Sequence, residues 1–398
     1  MISAWRYRPE TKAFLLSVAA CVVLVIGMGY GRFAFTGVLS LMLHENVLSL
    51  TEGNFAASAN YAGYLVGALM LAKARPSDAR NLCVGSVLST LACLAALAWL
   101  RSPAGIIVAR GIAGICSAVS LISASLWLLQ HMKHAHGAPL MYAGVGLGIF
   151  ISAEFIALGK ALTLSSQTIW IICAISAGLL YAVVFRLLNS PPDILINYHK
   201  PSYTTTSGGP QTQAAAVKLI AAYGLAGFGY IITATYLPLF LSGSLAGIDP
   251  VHVWAVFGLA AVPSCFFWHR LTLRYGHRRS FRLNLFIQAA GVLLPFFSHG
   301  LIFCLASALM VGFTFMGTVT IALPEARRLA DVVSFNMIAV MTAVYGIGQI
   351  AGPLIAGALY AWTDSFNPSL IAAALALGVA AMIVSLDSEH PSPTKEQA

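Results

Sequence analysis

Eleven long stretches of this 398-residue chain contain no Asp, Glu, Lys or Arg. They cover residues 13–31, 53–72, 81–100, 111–130, 138–153, 161–185, 219–248, 250–268, 283–324, 332–363 and 365–386. A membrane-spanning helix needs about 20 mostly apolar residues. The first stretch can continue through Arg32 to about Met42, and the longest is divided in two by Ser298-His299-Gly300. The sequence therefore predicts an all-α integral membrane protein with twelve transmembrane helices.

The composition excludes a soluble protein. Charged residues make up 9% of the chain and hydrophobic residues 59%, whereas about a quarter of the residues in a typical soluble domain are charged. The net charge of +9 forms no basic stripe, because the Lys and Arg residues are scattered between the apolar stretches. We therefore expect the lipid bilayer as a partner and predict no nucleic-acid partner.

The basic residues predict the orientation of the chain. If the N-terminus is cytoplasmic, eighteen of the 22 Lys and Arg residues lie on the cytoplasmic side, and only Arg101 and Lys160 lie opposite. The other two fall within predicted helices. Short cytoplasmic loops of membrane proteins carry an excess of Lys and Arg. We predict a multi-pass protein of the cell inner (plasma) membrane, with both termini cytoplasmic, and expect a monomer.

Residues 189–216 differ from the rest of the chain, because they are rich in Pro, Gly, Ser and Thr and have no apolar period. They predict a flexible cytoplasmic linker. The parts on either side resemble each other: residues 27–41 and 227–241 share six identities, and the Gly-x-Gly of 144–146 recurs at 346–348. This repeat predicts two pseudo-symmetric six-helix bundles, formed by residues 1–188 and 217–398.

Four short motifs point to one family. They are Arg274-Tyr275-Gly276-His277-Arg278-Arg279, the pair Arg110 and Gly114, GYGRFAF at 29–35, and YGIGQIAGP at 345–353. With twelve spans and a central linker, they resemble the major facilitator superfamily of secondary transporters, and the last two resemble its YbfB/YjiJ-like branch. The resemblance implies proton-linked movement of a small organic solute by alternating access between the two bundles. Efflux and uptake both remain open.

Three charged residues fall well inside predicted helices: Arg32 in the first, Arg110 in the fourth and Glu154 in the fifth. An ion at the bilayer centre costs about 3 kcal/mol, so such residues usually face a wet cavity and pair. We expect Glu154 to pair with one or both arginines and to be the proton-coupling residue. With two arginines and one carboxylate, the predicted site has a net positive charge, which favours an anionic group on the substrate. The alternative is a purely structural ion pair between the first and fifth helices.

Neutral polar residues complete the predicted site. Tyr345 and Gln349 are four residues apart and therefore share a helix face. Tyr30 adjoins Arg32 and recurs as Tyr230 in the repeat. The predicted substrate-binding residues are Arg32, Arg110, Tyr30, Tyr230, Tyr345 and Gln349. Neither a G-x-x-x-x-G-K-[ST] loop nor metal-ligand spacing occurs, so we expect no cofactor and no metal.

Two other functions remain open. One is a membrane-embedded enzyme acting on a lipid-like substrate, which should present clustered acids or histidines at one membrane face. Only Glu325, Arg327, Arg328 and Asp331 form such a cluster in the sequence. The other is a non-transporting receptor of transporter fold. We favour a transporter, which is not an enzyme.

Overall fold

The long elements of the chain are helices. The computed structural model describes residues 9–71, 73–190, 210–240, 249–329, 333 and 337–386. The first six long helices are α1 (Pro9–Leu24, continued by the π-helical Val25–Phe33 and by Ala34–His44), α2 (Leu50–Met70), α3 (Ala79–Trp99), α4 (Pro103–Ser125, continued by the π-helical Leu126–His131), α5 (Ala138–Ala161) and α6 (Ser166–Leu188). The last six are α7 (Pro210–Phe240), α8 (Val251–Tyr275), α9 (His277–Phe297), α10 (Leu301–Leu329), α11 (Met337–Thr363) and α12 (Asn367–Ser385).

Eleven of the described helices are long and apolar enough to cross a membrane. The remaining one, α2, has 21 residues but a more polar sequence. Part of that polarity faces the protein interior, because the fully buried Asn60 donates from Nδ2 to the carbonyl oxygen of Arg110, 2.9 Å away. The predicted break near 298–300 is confirmed, since α9 ends at Phe297 and α10 begins at Leu301. The chain is thus an all-helical protein with eleven to twelve candidate transmembrane helices.

The predicted linker is shorter than expected at its C-terminal end. Residues 191–209 lie outside the described part of the chain, but α7 begins at Pro210, so residues 210–216 are helical. Proline suits the first turn of a helix, where its missing N–H is not needed. Three alanines follow at 214–216, and alanine is the best helix former. Local propensity therefore extends α7 into the segment expected to be linker.

The helices pack in a recurring pattern. Among the first six, α2 packs on α4, α1 packs on α5 and α6, and α3 packs on α4 and α6. Among the last six, α8 packs on α10, α7 packs on α11 and α12, and α9 packs on α10 and α12. The main contacts between the two sets are α5 with α8 and α2 with α11. Any site shared by the two sets must lie close to these contacts.

The backbones of α5 and α8 touch where two glycines meet. A Cβ atom added at Gly258 would lie 2.6 Å from the backbone nitrogen of Phe150 and 2.8 Å from the carbonyl oxygen of Gly146. Small residues allow such close approach between membrane helices, where packing takes over much of the role of the hydrophobic effect. This crossing fixes the distance between the two sets of helices.

We expect Gly258→Ala to destabilise the protein by about 1–3 kcal/mol, the usual cost of overpacking a tight contact. Two of the three closest neighbours of the new methyl group are backbone atoms, which cannot rotate away, and the third is Cγ2 of Ile149 at 2.7 Å. The matched control is Gly378→Ala in α12, where no atom lies within 4 Å of the added Cβ. Melting temperatures of the purified proteins in detergent measure the effect. Equal melting temperatures for the two variants would contradict the tight crossing.

Candidate functional site

Six helices from both sets enclose a cavity with about 310 Å³ of empty space. Its walls come from α1, α2 and α4 on one side and from α7, α10 and α11 on the other. The polar lining residues are Arg32, Gln349 and the four tyrosines Tyr64, Tyr223, Tyr230 and Tyr345. The remaining lining residues are apolar. A mostly apolar hollow with a few convergent polar groups is the usual form of a small-molecule site.

Among the described residues, Arg32 is the charged residue that lines this cavity. Its side chain is 2% exposed, and its Nη2 donates to Oε1 of Gln349 at 2.7 Å. Its Nε and Nη1 have no hydrogen-bond partner in the described part of the chain. The ion pairs formed by described residues do not include Arg32. Arg32 therefore brings a positive charge with unused donors to the cavity.

Aromatic rings supply part of the environment of this guanidinium. Its Cζ lies 4.1 Å from the ring centroid of Tyr64, 5.2 Å from that of Tyr61 and 5.4 Å from that of Phe33. Each such cation–π contact contributes about 0.5–2 kcal/mol, depending on desolvation. The rings hold the group in place but accept no conventional hydrogen bonds from it. Its free N–H groups are thus left for another acceptor.

The π-helical segment of α1 positions Arg32. Its glycines permit close packing: a Cβ added at Gly29 would lie 2.4 Å from Cα of Gly148 in α5. A π-helical turn is wider than an α-helical turn, shifts the register of the following side chains, and often occurs at functional sites. The segment ends at Phe33, so Arg32 is carried by its last turn.

Arg110 has a different role from the one predicted. It is as buried as Arg32, but its Nη1 donates to the carbonyl oxygen of Gly31 at 2.9 Å and its Nη2 to that of Arg32 at 3.1 Å. Its Cζ lies 4.3 Å from the ring centroid of Phe35. It does not line the cavity. The expectation of direct substrate contact is therefore corrected: carbonyl groups of the π-helical segment take up donors of both Nη atoms, while the Nε has no hydrogen-bond partner in the described part of the chain.

Glu154 does not form the predicted pair with either arginine. Its Oε1 lies 3.3 Å from Nδ1 of His252 in the first turn of α8, and 42% of its side chain is exposed. Helix geometry explains the error. Glu154 follows Gly146 and Phe150 at steps of four residues, which places it on the stripe of α5 that touches α8. The opposite stripe, which includes Gly148, faces α1.

A second ion pair lies close to the first along the chain. Nζ of Lys160, at the end of α5, is 2.5 Å from Oδ2 of Asp249, just before α8. Oδ1 of Asp249 also accepts from the backbone N–H of Val251 at 2.9 Å. These two pairs join α5 to α8 at the end of the molecule that the charge distribution predicts to face outward.

Tyr30 also lies outside the cavity. Its ring centroid is 6.5 Å from that of Phe155 in α5, and the residue is 1% exposed. Residues two positions apart on a helix do not face the same way. The adjacency of Tyr30 to Arg32 was therefore a poor guide, and the prediction that it contacts substrate is corrected.

The C-terminal half contributes a connected polar and aromatic wall. Nε2 of Gln349 donates to the hydroxyl of Tyr230. The ring of Tyr345 stacks on Tyr223 at 4.5 Å and on Tyr230 at 5.7 Å between centroids, and Tyr230 stacks on Phe315 at 4.7 Å. Of the predicted substrate-binding residues, the cavity thus brings together those at positions 32, 230, 345 and 349.

Sequence analysis did not identify two prominent lining residues. Tyr223 lies seven residues before Tyr230, two helical turns away on the same face of α7, so its spacing was a usable signal. Phe315 lies in a long apolar stretch, where one aromatic residue is indistinguishable from packing. Only the arrangement of helices reveals its position.

The acidic cluster considered for an enzyme is engaged elsewhere. Nη2 of Arg328 lies 2.6 Å from Oε1 of Glu325 within the last turns of α10. Asp331 lies outside the described residues. The described part of this cluster is a local ion pair near the end of a helix, and neither of its residues lines the cavity.

The family comparison agrees with this arrangement. A family model described as "Uncharacterised MFS-type transporter YbfB" matches residues 24–385. The match includes the π-helical segment of α1 and every later helix. No curated protein matches the chain. An all-helical chain with this match over nearly its whole length belongs to the major facilitator superfamily, in the family of YbfB-like MFS-type transporters.

Proposed function

We propose that the protein is a secondary active transporter that carries a small organic anion through the central cavity. The observation that carries this proposal is Arg32, a buried guanidinium with two unpartnered nitrogens in the wall of the cavity. A buried charge without a counterion costs several kcal/mol. A bound anion would remove that cost, so the empty cavity favours anionic ligands.

The chemistry of Arg32 indicates a carboxylate. A carboxylate that binds a guanidinium through both oxygens uses Nη2 together with either Nε or Nη1, and Nη2 of Arg32 is the nitrogen bonded to Gln349. One positive charge in the cavity favours one negative charge on the solute. The tyrosine hydroxyls and the apolar walls suit a small organic body.

Alternating access between two halves is part of the proposal. The packing pairs of α1–α6 recur among α7–α12, and the sequence repeat at 27–41 and 227–241 supports the same division. The proposed halves are residues 1–188 and 210–398, the second beginning with α7. Secondary transporters commonly bind their solute at the interface between such repeats and rock one against the other. An inner-membrane location with cytoplasmic termini follows from the charge bias.

We assign proton coupling to Glu154. Its pair with His252 joins α5 to α8, and these helices belong to opposite halves. The pair and the neighbouring Lys160–Asp249 contact hold the two helices together at the predicted outer end. A neutral side chain at position 154 binds His252 less strongly than a carboxylate does, so a change of charge at Glu154 would act directly on this contact.

Flux into proteoliposomes tests transport. The probes are labelled gluconate, glucuronate and benzenesulfonate, three organic monoanions that cross lipid bilayers poorly. We expect at least one to accumulate faster than in protein-free vesicles, and faster with an imposed pH gradient. Binding without flux would contradict transport and favour a receptor. Hydrolysis or modification of a probe or of the vesicle lipid would favour an enzyme.

Glu154→Gln tests the coupling. The variant is isosteric and cannot change its charge with pH, so we expect uptake to lose its dependence on the pH gradient while exchange without a gradient continues. The matched control is Glu325→Gln, because the Glu325 carboxylate pairs within its own helix. The control should keep the dependence on the gradient. If Glu154→Gln also keeps it, Glu154 is not the coupling residue.

A further inference from the structure

The side-chain amide of Gln349 links the two halves inside the cavity. Its Oε1 accepts from Nη2 of Arg32 in α1, and its Nε2 donates to the hydroxyl of Tyr230 in α7. It is 2% exposed. Both of its polar ends are therefore bonded to protein, whereas Arg32 keeps two unpartnered nitrogens.

We propose that Gln349 is a built-in competitor for the anion site and sets the strength of interaction with Arg32 that a ligand must exceed to bind. The inference rests on the proposed function, because it concerns how the same site chooses its ligand. In the empty cavity the amide oxygen occupies a donor of Arg32. A ligand that needs that donor must displace it.

A ligand binds Arg32 only if its interaction with the guanidinium is stronger than that of the Gln349 amide oxygen. A carboxylate adds to its hydrogen bond with Arg32 the attraction between two opposite charges, which is strong in a buried site and which the neutral amide of Gln349 lacks. A carboxylate therefore displaces the amide oxygen of Gln349 from Arg32. A neutral carboxamide of the same shape is no better an acceptor than Gln349 and gains nothing by the exchange. The cavity thus rejects neutral isosteres of its anionic substrate.

Gln349 also keeps Arg32 ordered between cycles. The bond to Arg32 runs from α11 to α1, so the empty transporter retains a link between its halves at the level of the cavity. A glutamate at this position would be a permanent counterion and would neutralise the site. A methionine has nearly the length of glutamine and no amide, so it would free the donor.

Binding of benzoate and benzamide to the purified full-length protein tests the proposal. These probes have the same ring and nearly the same shape, and they differ in charge. We expect the wild type to bind benzoate about 10–100-fold more tightly than benzamide, the discrimination that a hydrogen bond to a charged group supplies. In Gln349→Met, both should bind more tightly by a similar factor of about tenfold, because each probe no longer has to displace the same competing bond.

Two further variants complete the design. Gln349→Glu should weaken benzoate binding by about 100-fold or more, since its carboxylate satisfies Arg32 internally. Gln288→Met is the matched control: Gln288 is equally buried, but in α9 and away from the cavity wall. It should bind both probes as the wild type does. Gln349→Leu replaces Gln349→Met if the latter does not fold.

Each other outcome has a definite meaning. Loss of benzoate binding in Gln349→Met would overturn the inference and make Gln349 a direct contact of the substrate. Undiminished benzoate binding in Gln349→Glu would overturn it as well. If the wild type binds none of benzoate, gluconate and inorganic phosphate, the proposed anion site itself is wrong, and the inference fails with it.

Discussion

Arg32→Gln is expected to abolish anion binding and, at the same time, to stabilise the empty protein. The guanidinium is buried and has no carboxylate partner among the described residues. Removing it should weaken binding of a carboxylate by about 2–5 kcal/mol, the cost of deleting one partner of a buried charged pair. Removing a buried charge without a counterion relieves a desolvation cost of several kcal/mol, and the lost cation–π contacts and Gln349 bond offset part of that gain. We therefore expect stability to rise by about 1 kcal/mol.

The measurement combines melting temperatures without ligand and benzoate affinity. The control is Arg101→Gln, the same exchange at an exposed position of the loop after α3, where neither quantity should change. Arg32→Lys keeps the charge but loses the planar fork, so it should fall between the wild type and Arg32→Gln in affinity. If Arg32→Gln lowers the melting temperature and leaves benzoate binding intact, Arg32 is a structural residue.

The sequence alone was sufficient to predict the long helices and to select Arg32 as a candidate site residue. Apolar length identifies spans because hydrocarbon requires every backbone group to be satisfied within a helix. A charge inside a span is conspicuous because it is costly there. The pair Tyr345 and Gln349 was accessible for another reason: a spacing of four residues fixes a common helix face wherever the helix lies.

The partners of the charged residues could not be predicted from sequence. Glu154 and Gly148 lie on the same helix, and only the packing shows that one stripe of α5 faces α8 and the other faces α1. The π-helical segment was equally inaccessible, since no spacing rule marks a widened turn. Its register decides that Arg32 faces the cavity while Tyr30 packs against α5.

Arg110→Gln should have the opposite effect on stability to Arg32→Gln, although both variants remove a buried arginine. The guanidinium of Arg110 donates to the carbonyl oxygens of Gly31 and Arg32 and lies over the ring of Phe35. Each buried carbonyl left without a donor costs about 1–3 kcal/mol. Arg110 is also a buried charge without a carboxylate partner among the described residues, so relief of its desolvation offsets part of this cost. We expect net destabilisation of about 1–3 kcal/mol, together with weaker benzoate binding, because the backbone that carries Arg32 loses its support.

Comparison of the two arginine variants separates a charge kept for a ligand from a charge kept for the fold. Arg110→Lys retains the charge and can satisfy one carbonyl group, so its melting temperature should lie between those of Arg110→Gln and the wild type. If benzoate affinity falls together with the melting temperature from the wild type through Arg110→Lys to Arg110→Gln, Arg110 has a positioning role. A melting temperature of Arg110→Gln equal to or above that of the wild type would contradict it, because the carbonyl groups would then need no donor from α4.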